Sequence, residues 1–360
     1  MKLLYRYILQ LFIKNIFMLM ASFIAIYVLI DFFEKIDNFM EKGKSTGLVV
    51  KFFLLNIPFI LDQMGPICIL LAGVITLGVL NHSNELIALK ACGIPLRKIT
   101  APIIGAGLAF TLLFLAMSQF VLPKTISVTN RIWNKEVKGR VALGIYRNGR
   151  FYYRGQDGFY SFARPDLKRD NFYNFSYASW DADYRLSSLI AAERALWDAG
   201  TWTLFNGQVQ TSIGHEKFIS ETFSNRIFAF PEKPADFFVP EYYSKELSLT
   251  GLYQEALRKN SPEEKNRAWV EFYGRISYIL LGLPLLLLGL PLLLFVYRSW
   301  GRDLSLAIPV SCGMAFACWG TWGTLQSLAK AGYINPLFAA GSIHIFGILL
   351  GIILLMREDS

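Results

Sequence analysis

Cysteine and histidine are both scarce. Cysteine occurs four times in 360 residues, as Cys68, Cys92, Cys312 and Cys318, so everything between residues 93 and 311 lacks it. No disulfide framework can hold that stretch, and any domain there must rest on burial and hydrogen bonding. The three histidines, His82, His215 and His344, lie far apart, and none has metal-ligand spacing to a cysteine or carboxylate. A zinc site is not expected. The net charge of +9 is not gathered into a basic stripe with interleaved aromatics, so no nucleic acid is expected as a partner.

Phosphate-binding and nucleophile motifs fail as well. The stretch "GKSTG", Gly43 to Gly47, imitates a P-loop, but the position five residues before Gly43 is Asn38 rather than glycine. A polar loop after an apolar run precedes it, not a buried strand. The same letters match a nucleophile elbow around Ser45, which would need a strand-to-helix turn, a histidine and an acid. "SLAK", Ser327 to Lys330, matches a Ser-x-x-Lys pair without the other hydrolase motifs, and it reads as a span end with Lys330 snorkelling to the interface.

What the chain has in abundance is long apolar runs. It is 54% hydrophobic and 15% aromatic. Six spans are expected: Leu11–Ile30, Phe52–Leu80, Ile99–Leu122, Ile276–Val296, Leu304–Leu328 and Pro336–Met356. Each exceeds the roughly 20 residues needed to cross a bilayer. The first is too long for a signal peptide and is followed by Asp31 and Phe32 instead of a small-residue cleavage site, so it is expected to remain as an anchor. Lys2, Arg6 and Lys14, then Lys90, Arg97 and Lys98, then Arg298 and Arg302, then Arg357 all fall on one side of a six-span arrangement. Positive residues are retained in the cytoplasm, so both termini are expected there. The loop from Asp31 to Lys51 violates this rule, because it would be external despite Lys35, Lys42, Lys44 and Lys51.

Between the third and fourth spans the texture changes to alternating aromatic, β-branched and polar residues, as in "GRFYYRGQDGFYSF" and "GTWTLFNGQVQTSI". Period two at that length indicates half-buried strands. Asn148-Gly149, Asp157-Gly158 and Asn206-Gly207 are hairpin signals. About ten short strands in a sandwich or jelly roll are expected, with aromatics forming either a packed core or a groove for a greasy ligand. A proline-rich exit and a helix near Leu249–Lys259 lead back to the membrane. The fold class is therefore a membrane α-helical bundle, six transmembrane helices arranged three plus three, with an inserted all-β, jelly-roll-like external domain. The expected divisions are 1–122, 123–270 and 271–360.

Three features carry functional interest. Asp62 lies inside the second span, where a charge is costly and needs a partner or water. Pro284 and Pro291 remove backbone donors and permit kinks in the fourth. Finally, "SNELIALKACGIPLRKI", Ser83 to Ile99, is a short charged helix between spans two and three. Ser83 or Asn84 is placed to cap it, Glu85 suits its positive end, and Gly93 with Pro95 ends it after about two turns. At 100° per residue Glu85, Ala88, Leu89 and Cys92 share a face suited to a groove on another protein. An interfacial linker helix is the other reading of the same residues.

"NELIALKACGIPLRKI" after the second span resembles the signature of the LptF/LptG permeases of the lipopolysaccharide exporter, and so do the three-plus-three spans, the cysteine-free insert and the near absence of a cytoplasmic tail. "KIDNFMEKG", Lys35 to Gly43, is more similar to the LptG branch. The resemblance implies a non-catalytic permease subunit of an ABC transporter in the bacterial inner membrane. It would bind no cofactor itself, with ATP and magnesium held on a separate LptB-like ATPase dimer. The other implied partners are a second LptF-like permease, LptC-like and LptA-like periplasmic proteins, and lipopolysaccharide. It also implies that Glu85, with Ala88, Leu89 and Gly93, couples to the ATPase, and that the external domain is periplasmic. Lys35, Lys42 and Lys44, and more weakly Lys51, are candidates to meet the lipid phosphates at the rim of an apolar cavity, and Asp62 is a further candidate substrate-site residue. A permease of another lipid or lipoprotein exporter, an intramembrane hydrolase using Ser45 or Ser327, and a membrane scaffold are the alternatives.

Overall fold

A computed structural model describes residues 2–138, 144–147, 150–155, 157–163, 171–181, 185–198, 200–212, 218–237, 243–259, 262–300 and 304–358. The chain forms two compact units, Met1–Asn130 with Tyr243–Ser360, and Arg131–Tyr242.

The first unit is helical. Its first part holds α1 (Lys2–Glu41), α2 (Thr46–His82), α3 (Glu85–Ala91), α4 (Leu96–Phe120) and α5 (Leu122–Arg131). After the second unit come α7 (Tyr243–Glu246), α8 (Leu249–Arg258), α9 (Pro262–Leu280), α10 (Gly282–Trp300), α11 (Leu304–Lys330) and α12 (Pro336–Arg357), while α6 (Pro234–Phe237) belongs to the second unit. Among the described residues, five stretches are long and apolar enough to cross a membrane: α1, α2, α4, the α9–α10 pair and α12. The remaining expected span, α11, has ample length at 27 residues. Its serine, threonine, glycine and tryptophan residues make it less apolar than the others.

The charged loop expected from Asp31 to Lys51 is mostly helix. α1 runs 40 residues, about 60 Å at 1.5 Å per residue, and α2 begins five residues later. The charges there continue the helical repeat instead of breaking it: Lys35 pairs with Asp31 one turn back. α1 stops at Gly43, whose φ of 59° is left-handed, with Gly43 N–H donating to Met40 O (2.9 Å) and Lys44 N–H to Phe39 O (3.1 Å). This is a Schellman ending, so "GKSTG" is a helix-to-helix turn and contains neither a P-loop nor a strand-to-helix elbow. The fourth span is broken at Leu281, between α9 and α10, three residues before Pro284. Proline there cannot donate to the carbonyl of Leu280, which weakens the ladder where the break falls.

α2 is the centre of the bundle, with Cys68, Ile69, Leu70, Val74 and Leu77 buried. Close approach requires glycine in two places: a Cβ at Gly73 or Gly107 would lie 2.1 Å or 2.7 Å from the side chain of Leu286 on α10. Small residues at helix contacts are how membrane bundles gain van der Waals packing. α1 buries Ile8, Phe12 and Ile16 along one stripe, and a bond from Asn15 Nδ2 to Thr76 Oγ1 (3.0 Å) ties it to α2. Its other face exposes Phe17, Ile26, Leu29, Ile30 and Phe33, as α12 exposes Ile345, Phe346 and Leu349. Surfaces of this kind belong against lipid or another membrane helix.

The second unit is one seven-stranded antiparallel sheet in the order β1-β2-β3-β4-β5-β6-β7. Its strands are Gly144–Arg147, Arg150–Arg154, Phe159–Ala163, Asn171–Trp180, Leu186–Asp198, Thr201–Ser212 and Phe218–Phe228. An inserted β domain was expected, but with about ten strands; among the described residues there are seven, each beside its neighbour in sequence. Of the hairpin signals, Asp157-Gly158 does turn β2 into β3. Gly158 is required by proximity and not by φ, because a Cβ would meet Ala178 O at 2.5 Å. Asn206-Gly207 is not a turn. It lies within β6, where Asn206 takes φ 51° without changing the register. The β5–β6 reversal instead falls where Asp198 faces Thr201, with Gly200 at φ 90°. Asn148-Gly149 lies outside the described residues, between the paired strands β1 and β2.

Candidate functional site

Three places in the helical unit gather the candidate residues. α3 lies at one end of α2 and the α1–α2 turn at the other, separated by 37 residues of helix, about 56 Å. α3 begins at Asn84, which takes φ 62° and makes no side-chain capping bond; nor does Ser83 cap it. Ser83 Oγ instead donates to Glu85 Oε1 (2.9 Å), as Tyr7 O–H does from α1 (3.3 Å). α3 ends in a second Schellman motif, with Gly93 at φ 76°, Gly93 N–H on Lys90 O (2.9 Å) and Ile94 N–H on Leu89 O (3.1 Å). The inward residue is Leu86, 2% exposed, which sequence spacing did not single out. Leu89 is half-buried against the same core, while Ile87, Ala88, Ala91 and Cys92 are exposed. The chain end meets this helix: Lys90 Nζ donates to Glu358 O (3.2 Å), and the Glu358 carboxylate pairs with Arg298 (2.8 Å).

At the other end of α2, the lysines differ in setting. Lys35 is ion-paired with Asp31 and lies over the Phe52 ring at 5.4 Å. Asp31 also accepts from Asn56 Nδ2 (3.4 Å). Lys42 and Lys51 are exposed and Lys44 half-buried, so the turn itself presents cations.

Asp62, 7% exposed, faces a cavity of about 450 Å³ among α2, α5, α7, α8, α9 and α11. Arg275 of α9 is within electrostatic range of it, and Tyr278 O–H donates to Gln63 O beside it. Next to this cavity, Ser277 Oγ is bonded to His344 Nε2 (2.8 Å), to Ala340 O (2.8 Å) and to Trp322 Nε1 (3.0 Å). That saturated serine ties α9, α11 and α12 together. The contact escapes sequence reading because 67 residues separate the pair. Ser327 Oγ is bonded to Gly323 O one turn back (2.9 Å), and no base approaches it among the described residues.

In the β unit the aromatic question resolves for β2 to β6. Tyr160, Phe162, Phe172, Phe175, Trp202 and Phe237 are all at most 1% exposed and packed ring on ring, so they form a core. A buried acid anchors it: Tyr160 O–H donates to Glu232 Oε2 and Trp202 Nε1 to Glu232 O (2.8 Å). Burial, and then the Glu232 bond, push the Tyr160 phenol above its ordinary range. β7 is the opposite, a long edge strand with Phe218, Ile219 and Ile227 exposed.

Such an architecture defines a multi-pass helical membrane protein with an inserted antiparallel β domain. Residues 6–357 match the family described as lipopolysaccharide export system permease LptF/LptG, and the chain belongs to that family. Its members are permeases, and the apolar helices make this chain a multi-pass inner-membrane protein. Comparison with curated proteins finds no match.

Proposed function

We propose that the chain is the permease subunit of an ABC transporter that extracts lipopolysaccharide from the outer leaflet of the inner membrane and passes it towards the outer membrane. A separate LptB-like ATPase dimer supplies the energy, a second LptF-like permease completes the cavity, and LptC-like and LptA-like proteins receive the lipid. The single observation carrying this reading is the family match across residues 6–357. Placement of α3 supports it: a short helix with a defined stop and an exposed outer face, held to α1 and the chain end, suits a piece pushed by a partner. Both termini and α3 are then cytoplasmic, and the β unit is periplasmic.

In this mechanism Glu85 reaches a basic residue of the ATPase, while Ala88, Leu89 and Gly93 shape the helix that transmits the stroke. Closure of the ATPase dimer moves α3 and narrows the cavity. The lysines of the α1–α2 turn, Lys42 and Lys44 foremost, meet lipid phosphates at the outer rim. Lys35, already engaged with Asp31, contributes less. Exposed residues of β7 offer an edge along which the chain of β domains continues.

Glu85→Lys reverses the charge at the coupling contact. In the reconstituted complex it should lower ATP-dependent lipopolysaccharide release at least about tenfold, a loss of about 1.4 kcal/mol of coupling. Undiminished release with this substitution would refute the coupling role.

A further inference from the structure

The cavity at Asp62 is lined in two ways. Phe59, Leu252, Val270, Tyr278, Trp319 and Trp322 form an apolar side, and Trp319 is 52% exposed, so that side reaches the surface of the helical unit. The polar side carries both signs of charge, Asp62 and Glu271 against Arg275, Lys245 and Lys330. Of the residues that line it, Asp62 Oδ1 and Gln326 Nε2 are buried and have no hydrogen-bond partner among the described residues. Buried polar atoms of folded proteins are nearly always paired, so an orphan acceptor on a carboxylate that lines a cavity points to a donor supplied from outside the chain.

Arg275 does not fill that role. Its Nε donates to Ser118 Oγ (3.0 Å) and its Nη1 to Leu247 O (2.6 Å), which leaves one N–H on Nη1 and the two on Nη2. The site therefore asks for three things at once: a cationic donor for Asp62, an anion for Arg275 and Lys330, and an apolar tail for the tryptophan wall. A volume of about 450 Å³ lies within the usual range for a small-ligand pocket.

We infer that this cavity holds the head group of a phosphoethanolamine phospholipid, with its ammonium on Asp62, its phosphate on Arg275 and Lys330, and its acyl chains leaving past Trp319 and Trp322. The inference goes beyond the export reading, because the lipid is a resident of the fold and not its cargo. Phosphatidylglycerol offers the same phosphate and chains but no ammonium. Unmodified lipid A also lacks the amine.

Native mass spectrometry of the full-length chain tests this after exchange into micelles containing phosphatidylethanolamine, phosphatidylglycerol or unmodified lipid A. Retention of phosphatidylethanolamine should exceed that of phosphatidylglycerol about tenfold, as a charge-assisted hydrogen bond warrants. Asp62→Asn should reduce that preference to about twofold or less, and Lys330→Gln should weaken both phospholipids together. Equal retention of the two phospholipids by the unaltered chain, no retained lipid, or an undiminished preference in Asp62→Asn would overturn the inference. Lipid A displacing phosphatidylethanolamine in an Asp62-dependent way would assign the cavity to the cargo and overturn it too. No step of the assay involves ATP or export, so its failure leaves the export reading untouched.

Discussion

Asp31 and Asp62 pose the same physical problem in neighbouring regions. Each is a carboxylate on a long membrane helix, 6% and 7% exposed respectively. At the α1–α2 seam the chain itself supplies what the acid needs, Lys35 one turn on and Asn56 across the seam. At the cavity no described residue gives Asp62 Oδ1 a hydrogen bond. Equal burial thus separates into structure and site according to what stands opposite. A buried carboxylate whose donors are present holds helices together, and one that lacks a hydrogen-bond donor marks a place for something else.

The comparison can be broken at four points. Lys35→Ala removes the counter-charge and leaves Asp31 buried, which should cost about 3 kcal/mol, read as earlier thermal unfolding in detergent. A loss below about 1 kcal/mol would mean that the seam does not depend on the pair. Tyr160→Phe applies the same logic to the β unit, where Glu232 loses its hydroxyl donor. The expected loss is about 2 kcal/mol, visible as faster amide exchange in β3 to β6. Gly93→Ala is a backbone control without charge: a left-handed position that resists a Cβ should cost about 1 kcal/mol and fray α3. Asp62→Asn should change stability by no more than about 0.5 kcal/mol, because no described residue hydrogen-bonds Asp62 Oδ1 and Arg275, within electrostatic range, keeps its own bonds to Ser118 and Leu247. Destabilisation approaching that of Lys35→Ala would erase the distinction.

Much of this was legible in the sequence, and the reasons are local. Apolar runs longer than a bilayer announce spans, alternating aromatics announce strands, and Gly93 before Pro95 announces the end of α3. The errors come from features that local reading weighs wrongly. The charges from Asp31 to Glu41 look like a loop by hydropathy, yet the four-residue spacing of Asp31 and Lys35 was a readable helix signal. Asn206-Gly207 has the letters of a tight turn, but β5 and β6 turn at Gly200, whose neighbours carry no such signature. Long-range assembly was not readable at all. Asp62 could be marked as costly, but Arg275 and Gln326 reach its cavity from more than 200 residues away. Glu232 gave no hint that it would accept from Tyr160 in an aromatic core.

In the proposed function this chain is the membrane half of a lipopolysaccharide exporter driven through α3. Extraction of the tagged chain from its native membranes in mild detergent, followed by mass spectrometry of bound proteins and lipids, tests it most directly. The account predicts one ATPase in two copies, one homologous permease and co-purified lipopolysaccharide. A chain recovered without an ATPase, or an ATPase complex carrying a different lipid in place of lipopolysaccharide, would contradict it.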